Sequence, residues 1–289
     1  MATIKDLYHP DWDEMVENWI NHIPHGDILG SSPNAKNLVE QVASTKISEF
    51  LPDKSLIDIV PGLRERTLKD ALILRTKALY HFHASKSLNE IGHSTFTLIS
   101  MYDACFFSAK SLVYLFGLRD FSRDSKIYLQ IFRKEKQKKS HSIVDGHYIY
   151  VLEDRLTHNM VWQLFPRLSN TIKGKNPNVI TLKSFSRRRF DQFSRERNRY
   201  SYESSSWSRE DNLMSSDLIY QQTYLENRKY DTSHGIEYAE YYDEYYRTAH
   251  IIINIIDEFL SEMAKKAPAI NKYLDISPPL PKLKNQVFL

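Results

Sequence analysis

Apolar side chains recur along the chain mainly at steps of three and four. The most regular run lies near the C-terminal end. There Tyr238, Tyr242, Tyr245, Ala249, Ile252, Ile256, Phe259 and Met263 advance by four and three in alternation. This keeps one helix face apolar over nearly four heptads and predicts a helix over 236–265, opened by Gly235. The seam suits either a bundle within the chain or an interface between copies. A second strong pattern covers 94–116, where Leu98, Tyr102, Cys105, Ala109, Leu112 and Phe116 form one stripe. Met101, Ala104, Ser108, Ser111 and Leu115 form a smaller-residue stripe beside it, so this helix is expected to pack on more than one side. Gly117 is placed to cap it. Residues 68–88 carry Leu68, Ala71, Leu72, Arg75, Leu79 and Phe82 at helical spacing.

Elsewhere the pattern is shorter or changes period. Trp12 and Trp19 sit in a short helical stretch over 11–23, and 34–50 reads as another helix before Pro52. Ile127, Leu129 and Ile131 alternate with Tyr128, Gln130 and Phe132, and 147–152 alternates less cleanly. With the Asp145–Gly146 turn signal, this predicts a β-hairpin holding a long basic loop. A helix over 154–165 is expected to stop at Pro166, with a loop at 174–177. Residues 184–201 read as one basic helix, 204–214 as loop and 216–227 as a helix. Pro268, Pro278, Pro279 and Pro281 predict an extended tail. The expected organisation is an N-terminal helical elaboration over 1–66, a helical domain over 67–267 with an insertion at 118–175, and a tail over 268–289. The fold class is predominantly all-α: a helical bundle with a small β-hairpin insertion.

Composition narrows the function. Only eight of 289 residues are glycine, under half the usual proportion of about 7 %. None fits G-x-G-x-x-G or opens G-x-x-x-x-G-K, so dinucleotide and P-loop enzymes are disfavoured. The single cysteine, Cys105, excludes an internal disulfide or a multi-cysteine zinc cage. It lies mid-stripe, where an inert buried thiol is expected. No H-E-x-x-H occurs among the eleven histidines. His81 and His83 stand two apart on a helix and point to different sides, so no metal or other cofactor is expected. The acidic opening residues and the lack of a long apolar run predict neither a leader nor a membrane span, and a cytoplasmic location.

The net charge of +3 hides local asymmetry. Arg133, Lys134, Lys136, Lys138 and Lys139 against Glu135 make 133–139 strongly basic. Arg187, Arg188, Arg189, Arg195, Arg197 and Arg199 against Asp191 and Glu196 do the same for 184–199. Glu237, Glu240, Asp243 and Glu244 make the start of the last helix acidic. The basic clusters suit RNA or another polyanion, or are solvated faces that pair with that acidic helix. Asp103 is a lone carboxylate on the most apolar helix. It either lies at an exposed edge or orients an arginine in a polar cleft. The densest charge signal is Ser194–Tyr202. There an arginine can grip phosphate in two places, but Tyr200 and Tyr202 follow where an imidazole would supply acid–base chemistry.

Two stretches carry a family likeness. In the first, His93-Ser94-Thr95-Phe96 leads into Ser100-Met101-Tyr102-Asp103-Ala104-Cys105-Phe106-Phe107-Ser108-Ala109-Lys110-Ser111-Leu112. The second runs from Arg197 through the last long helix. In these the chain resembles the HEPN superfamily, and more loosely its YaaC-like branch, over about half its length. The resemblance implies a helical bundle that usually dimerises. It also implies a metal-independent endoribonuclease whose motif is an arginine followed, after four to six residues, by histidine. Arg228-Lys229 and His234 fit that spacing across a loop. Arg197-Asn198 matches the first half with Tyr202 in place of the histidine. Arg75 and His81 also fit, but on one continuous helix they point to different sides. Carried over residue by residue, Arg228 and His234 form the expected catalytic pair, with Arg197, Asn198 and Tyr202 as the rival register. Asp103 would position an arginine. Arg187, Arg188, Arg189, Arg195, Lys134, Lys136, Lys138 and Lys139 would hold RNA. The resemblance further implies a prokaryotic defence or toxin–antitoxin setting with a co-encoded protein partner. The alternative expectation is a non-catalytic subunit that docks through the 238–263 seam, as a homo-oligomer or on a partner.

Overall fold

The computed structural model describes residues 11–22, 57–58, 63–91, 93–121, 127–130, 133–136, 141–144, 147–151, 158–188, 190–202, 235–271 and 274. Of these, 57–58, the strand residues between 119 and 151 and several helix-end positions are given as backbone alone. Among these residues the α-helices are α1 (Trp12–His22), α2 (Leu63–Glu90), α3 (Ser94–Leu115), α4 (His158–Thr171), α5 (Pro177–Phe185), α6 (Asp191–Tyr202) and α7 (Gly235–Lys266). The expected helices over 34–50 and 216–227, and the prolines from 278 onward, lie outside the described residues. Pro268 opens a single 3₁₀ turn, Pro268–Ile270, rather than extended chain.

Helix α3 is the axis of the bundle. Both of its stripes are buried, from Leu98 and Met101 to Leu115 and Phe116. Its small side chains make direct polar contacts with the helices on either side. The Ser111 hydroxyl donates to the Ala71 carbonyl of α2 at 2.8 Å, and the Cys105 thiol to the Tyr245 carbonyl of α7 at 3.0 Å. Gly117 follows at φ 81°, and its N–H bonds the Tyr114 carbonyl at 2.9 Å, so it closes the helix as its sequence position suggests. The heptad seam of α7 lies inside the same core. Tyr245, Ala249, Ile252, Ile256, Phe259 and Met263 are all buried within this chain, so that stretch of the seam joins helices of one molecule.

Helix α1 belongs to this core and not to a separate lobe. Trp12 packs edge-on against Phe259 at 5.1 Å and donates its indole N–H to Glu262 at 2.7 Å. Trp19 donates to the Leu115 carbonyl at 2.8 Å. The other oxygen of Glu262 accepts from Asn176 at 2.8 Å, and Asn176 in turn caps α5 by accepting from the Asn178 N–H. One carboxylate thus ties α1 and the start of α5 to α7. The segment 118–175 also contributes to the core. Its last part is α4, with Trp162, Phe165 and Leu168 buried, followed directly by the buried Ile172.

Two boundaries differ from the sequence reading. Helix α4 runs through Pro166 to Thr171. A proline inside a helix costs about 3 kcal/mol. Apolar burial on both sides of it, at Trp162, Leu164 and Phe165 and then at Leu168 and Ile172, outweighs that cost. The basic helix expected over 184–201 is two helices with a turn at Ser186–Arg188. On one straight helix Phe185 and Phe190 would sit about 140° apart. The turn lets both enter the core, with ring centroids 6.0 Å apart.

Short strands supply the rest by backbone: β1 (Ile57–Asp58), β2 (Leu118–Phe121), β3 (Ile127–Gln130), β4 (Arg133–Lys136), β5 (His141–Val144) and β6 (His147–Val151). Strands β3 and β6 pair antiparallel, with Ile127 opposite Val151, where the alternating segments were expected to pair. The basic loop between them carries a second antiparallel pair, β4 with β5.

The core also holds charge. Arg75 of α2 is buried and its Nε donates to Asp257 Oδ1 on α7. Arg75 counts as a member of the apolar stripe by spacing, and it sits inside because of this pair. Burial pushes the Asp257 carboxyl above its usual range, and the guanidinium opposes that shift. Arg75→Met is expected to destabilise the fold by about 3–5 kcal/mol, because it strands a buried carboxylate. The double change Arg75→Met with Asp257→Leu should recover most of that loss. Urea unfolding of the three variants measures both; equal stability of single and double variants would refute the coupling. Gly174 gives a second test. At φ +136° a Cβ would lie 2.9 Å from Trp12 Cβ, so Gly174→Ala should cost about 1–3 kcal/mol in the same assay.

Candidate functional site

Asp103 lies where the buried side of α3 turns toward solvent. It is half-buried, and its Oδ2 is 3.9 Å from Nδ1 of His81 on α2. The same nitrogen is 3.4 Å from the Ser100 hydroxyl, which donates to the His81 carbonyl at 3.1 Å. Phe107 of α3 lies tilted against the imidazole at 5.4 Å, and Tyr80 meets it edge-on at 5.6 Å. Lys77 places its ammonium 5.5 Å from the centre of the Phe107 ring. Tyr80 is 71 % exposed, so the aromatic group is open to solvent at one side.

On the other flank of Asp103 the neighbours are aromatic and cationic. Tyr102 is buried and accepts the Trp162 indole N–H at 3.1 Å. Trp162 stacks on Phe190 at 5.2 Å, and Phe193 of α6 meets Tyr245 at 4.5 Å. Burial pushes the Tyr102 phenol up to about 12. The Trp162 hydrogen bond opposes this, the Asp103 charge adds to it and the Arg197 charge opposes it. Arg197 of α6 and Asp103 of α3 therefore act on one phenol, from helices distant in sequence.

The remaining expected site residues divide clearly. Arg197 is half-buried and its Nη1 makes a long contact, 3.4 Å, with Oδ1 of the exposed Asn198. Tyr202 is the last residue of α6, given by backbone. Arg228, His234, Arg189, Lys138 and Lys139 lie outside the described residues. Lys134 and Lys136 are on β4. Arg187 and Arg195 are exposed. Arg188 turns back onto the bundle: it lies over the Phe185 ring at 5.2 Å and donates to the buried Thr248 hydroxyl at 3.2 Å. Arg187 and Arg188 therefore face different surroundings, the first solvent and the second the bundle. Arg75 and His81 part as expected, Arg75 into the core toward α7 and His81 toward α3.

Sequence reasoning named His81 only in pairs with His83 and Arg75 and gave it no place beside Asp103. Its signal was its border position, between buried Ala78 and Phe82 and exposed Lys77 and Tyr80. Cys105 is fully buried, and burial holds its thiol well above the usual range, which removes it as a nucleophile. Among the described residues no group of three or more histidine, cysteine, aspartate or glutamate side chains is placed to hold a metal ion. Nor is any helix there long and apolar enough to cross a membrane. Compared with known proteins, the chain matches no family model, no curated protein and no solved structure.

The Tyr102 environment sets a pH dependence. An unfolded phenol ionises near pH 10 and the folded one only near 12. The folded state thus holds the proton longer, and stability falls as pH rises between those values, by about 2–3 kcal/mol from this group. Tyr102→Phe should flatten the loss measured by urea unfolding from pH 9 to 12. An unchanged slope would place the phenol in a solvated setting.

Proposed function

We propose that this chain is a cytoplasmic, HEPN-like helical protein that binds RNA along the exposed face of α2 and the adjoining edges of α3 and α6. The observation that carries the reading is the composition of that face. No acidic residue occurs between Asp70 and Glu90, while Lys77, Tyr80, His83 and Lys86 are exposed. Cations interleaved with open aromatic rings are what a single-stranded polyanion requires: ammonium groups meet phosphate, and rings stack on bases. Arg195 adds an exposed guanidinium on α6. The all-helical core and the Arg197–Asp103–Tyr102 neighbourhood are compatible with the HEPN resemblance. That resemblance supplies the prokaryotic defence or toxin setting, the co-encoded partner and the self-association of the proposal.

Fluorescence anisotropy of the full chain with a labelled single-stranded RNA tests the reading. The logarithm of the binding constant should fall linearly with the logarithm of salt concentration. Lys77→Ala and Lys86→Ala should each weaken binding and reduce the slope by about 1. Absence of binding at low salt, or binding indifferent to salt, would overturn it. Equal affinity for DNA of the same sequence would widen the ligand class to single strands in general.

A further inference from the structure

We infer that the outer face of α5, with the end of α4 and the turn between them, is a docking surface for an anionic lipid bilayer. Sequence and burial define the face. No acidic residue occurs between Asp154 and Asp191. Within that stretch Arg167, Lys173, Lys175, Lys183 and Arg187 are exposed. Ile180 of α5 stands among them at 75 % exposure, with the exposed Pro177 one turn before it. Helix α5 cannot roll to hide this isoleucine. Its Val179, Leu182 and Phe185 are buried. The Asn176 and Asn178 amides donate to Glu262 and Glu258 of α7 at 2.8 and 2.6 Å. Ile180 lies about 160° around the helix from Leu182, so this anchorage holds it outward. The carboxylates of the neighbouring helices are engaged elsewhere. Those of Glu258 and Glu262 take the two asparagine amides, and Asp11, whose backbone pairs with Lys173, uses its own to cap α1.

The kind of apolar group on the face decides the partner. A single strand of nucleic acid needs rings on which its bases stack. Trp162, Phe165, Phe185 and Phe190 are the only such rings between residues 155 and 190, and all four are buried. The face of α2 offers Tyr80 to a base, whereas that of α5 offers an aliphatic branch. An isoleucine flanked by ammonium and guanidinium groups suits an interface with phosphates at its surface and hydrocarbon just beneath. The cations hold the headgroups, and Ile180 enters between the acyl chains. One inserted side chain is a marginal anchor, and the basic patch supplies the second signal that a stable contact requires. The contact is peripheral, since no helix among the described residues is long and apolar enough to cross a membrane. This surface shares no residue with the face of α2, so the inference does not rest on the RNA reading.

Co-sedimentation of the full chain with vesicles tests this, one set of phosphatidylcholine and one of equimolar phosphatidylcholine and phosphatidylserine. The chain should partition onto the mixed vesicles and not onto phosphatidylcholine alone, and added salt should weaken the partition. Lys183→Ala should lower the partition coefficient about fivefold. Ile180→Ser should lower it about tenfold and leave RNA affinity unchanged. Both positions are exposed, so neither change disturbs the core. Ile180→Trp should raise the partition, because an indole seats well at the boundary between headgroups and acyl chains. No sedimentation with the mixed vesicles at low salt would overturn the assignment, as would a partition that Ile180→Ser leaves unaltered. If Lys183→Ala weakens RNA binding and leaves vesicle binding intact, the face belongs to nucleic acid and the assignment is equally overturned.

Discussion

Small side chains on α3 set the distance at which its neighbours pack. Ala104, Ser108, Ala109 and Ser111 leave little between its backbone and the adjoining helices. Only at such separation does a serine hydroxyl or a cysteine thiol reach across to a main-chain carbonyl, as Ser111 does to Ala71 and Cys105 to Tyr245. Larger residues at these positions would force α2 and α7 outward and open voids along the whole seam. The crowding on the buried side also explains the polar edge. With the interior of α3 filled, Asp103 is left where the helix meets water, and His81 of the close-packed α2 comes within its field.

The buried Arg75–Asp257 pair has a different consequence. Two charges taken from water gain little net stability, so their presence is better explained by selectivity among packings. Helix α7 is buried around most of its surface between Thr248 and Leu260, and its apolar rows alone would fit nearly as well after a slide of one turn. A slide of one turn would separate the guanidinium from its carboxylate inside the core. The pair therefore restricts α2 and α7 to one register. The same register presents His81 on the solvent side of α2.

The helices with long, unbroken periodicity were legible in the sequence because burial writes itself locally at steps of three and four. The two stripes of 94–116 and the seam of 236–265 are examples, and Gly117 marked its helix end correctly. What escaped depends on residues far apart. Arg75 reads as a stripe member because its partner stands 182 positions away. Pro166 reads as a stop because the burial that outweighs it is tertiary. The turn before Phe190 is dictated by an aromatic cluster drawn from α4, α5 and α6. The site was legible at one point only. A carboxylate on an apolar helix drew attention to Asp103, whereas His81 gains significance only when α2 and α3 lie side by side.

Cys105 gives the molecule a built-in gauge of its own opening. The chain has one thiol, fully buried at the contact between α3 and α7 and bonded to a main-chain carbonyl there. A thiol reagent cannot reach it while those helices are together. Its labelling rate in native buffer therefore counts the excursions in which the two central helices part, with no engineered probe and no second thiol to confuse the count.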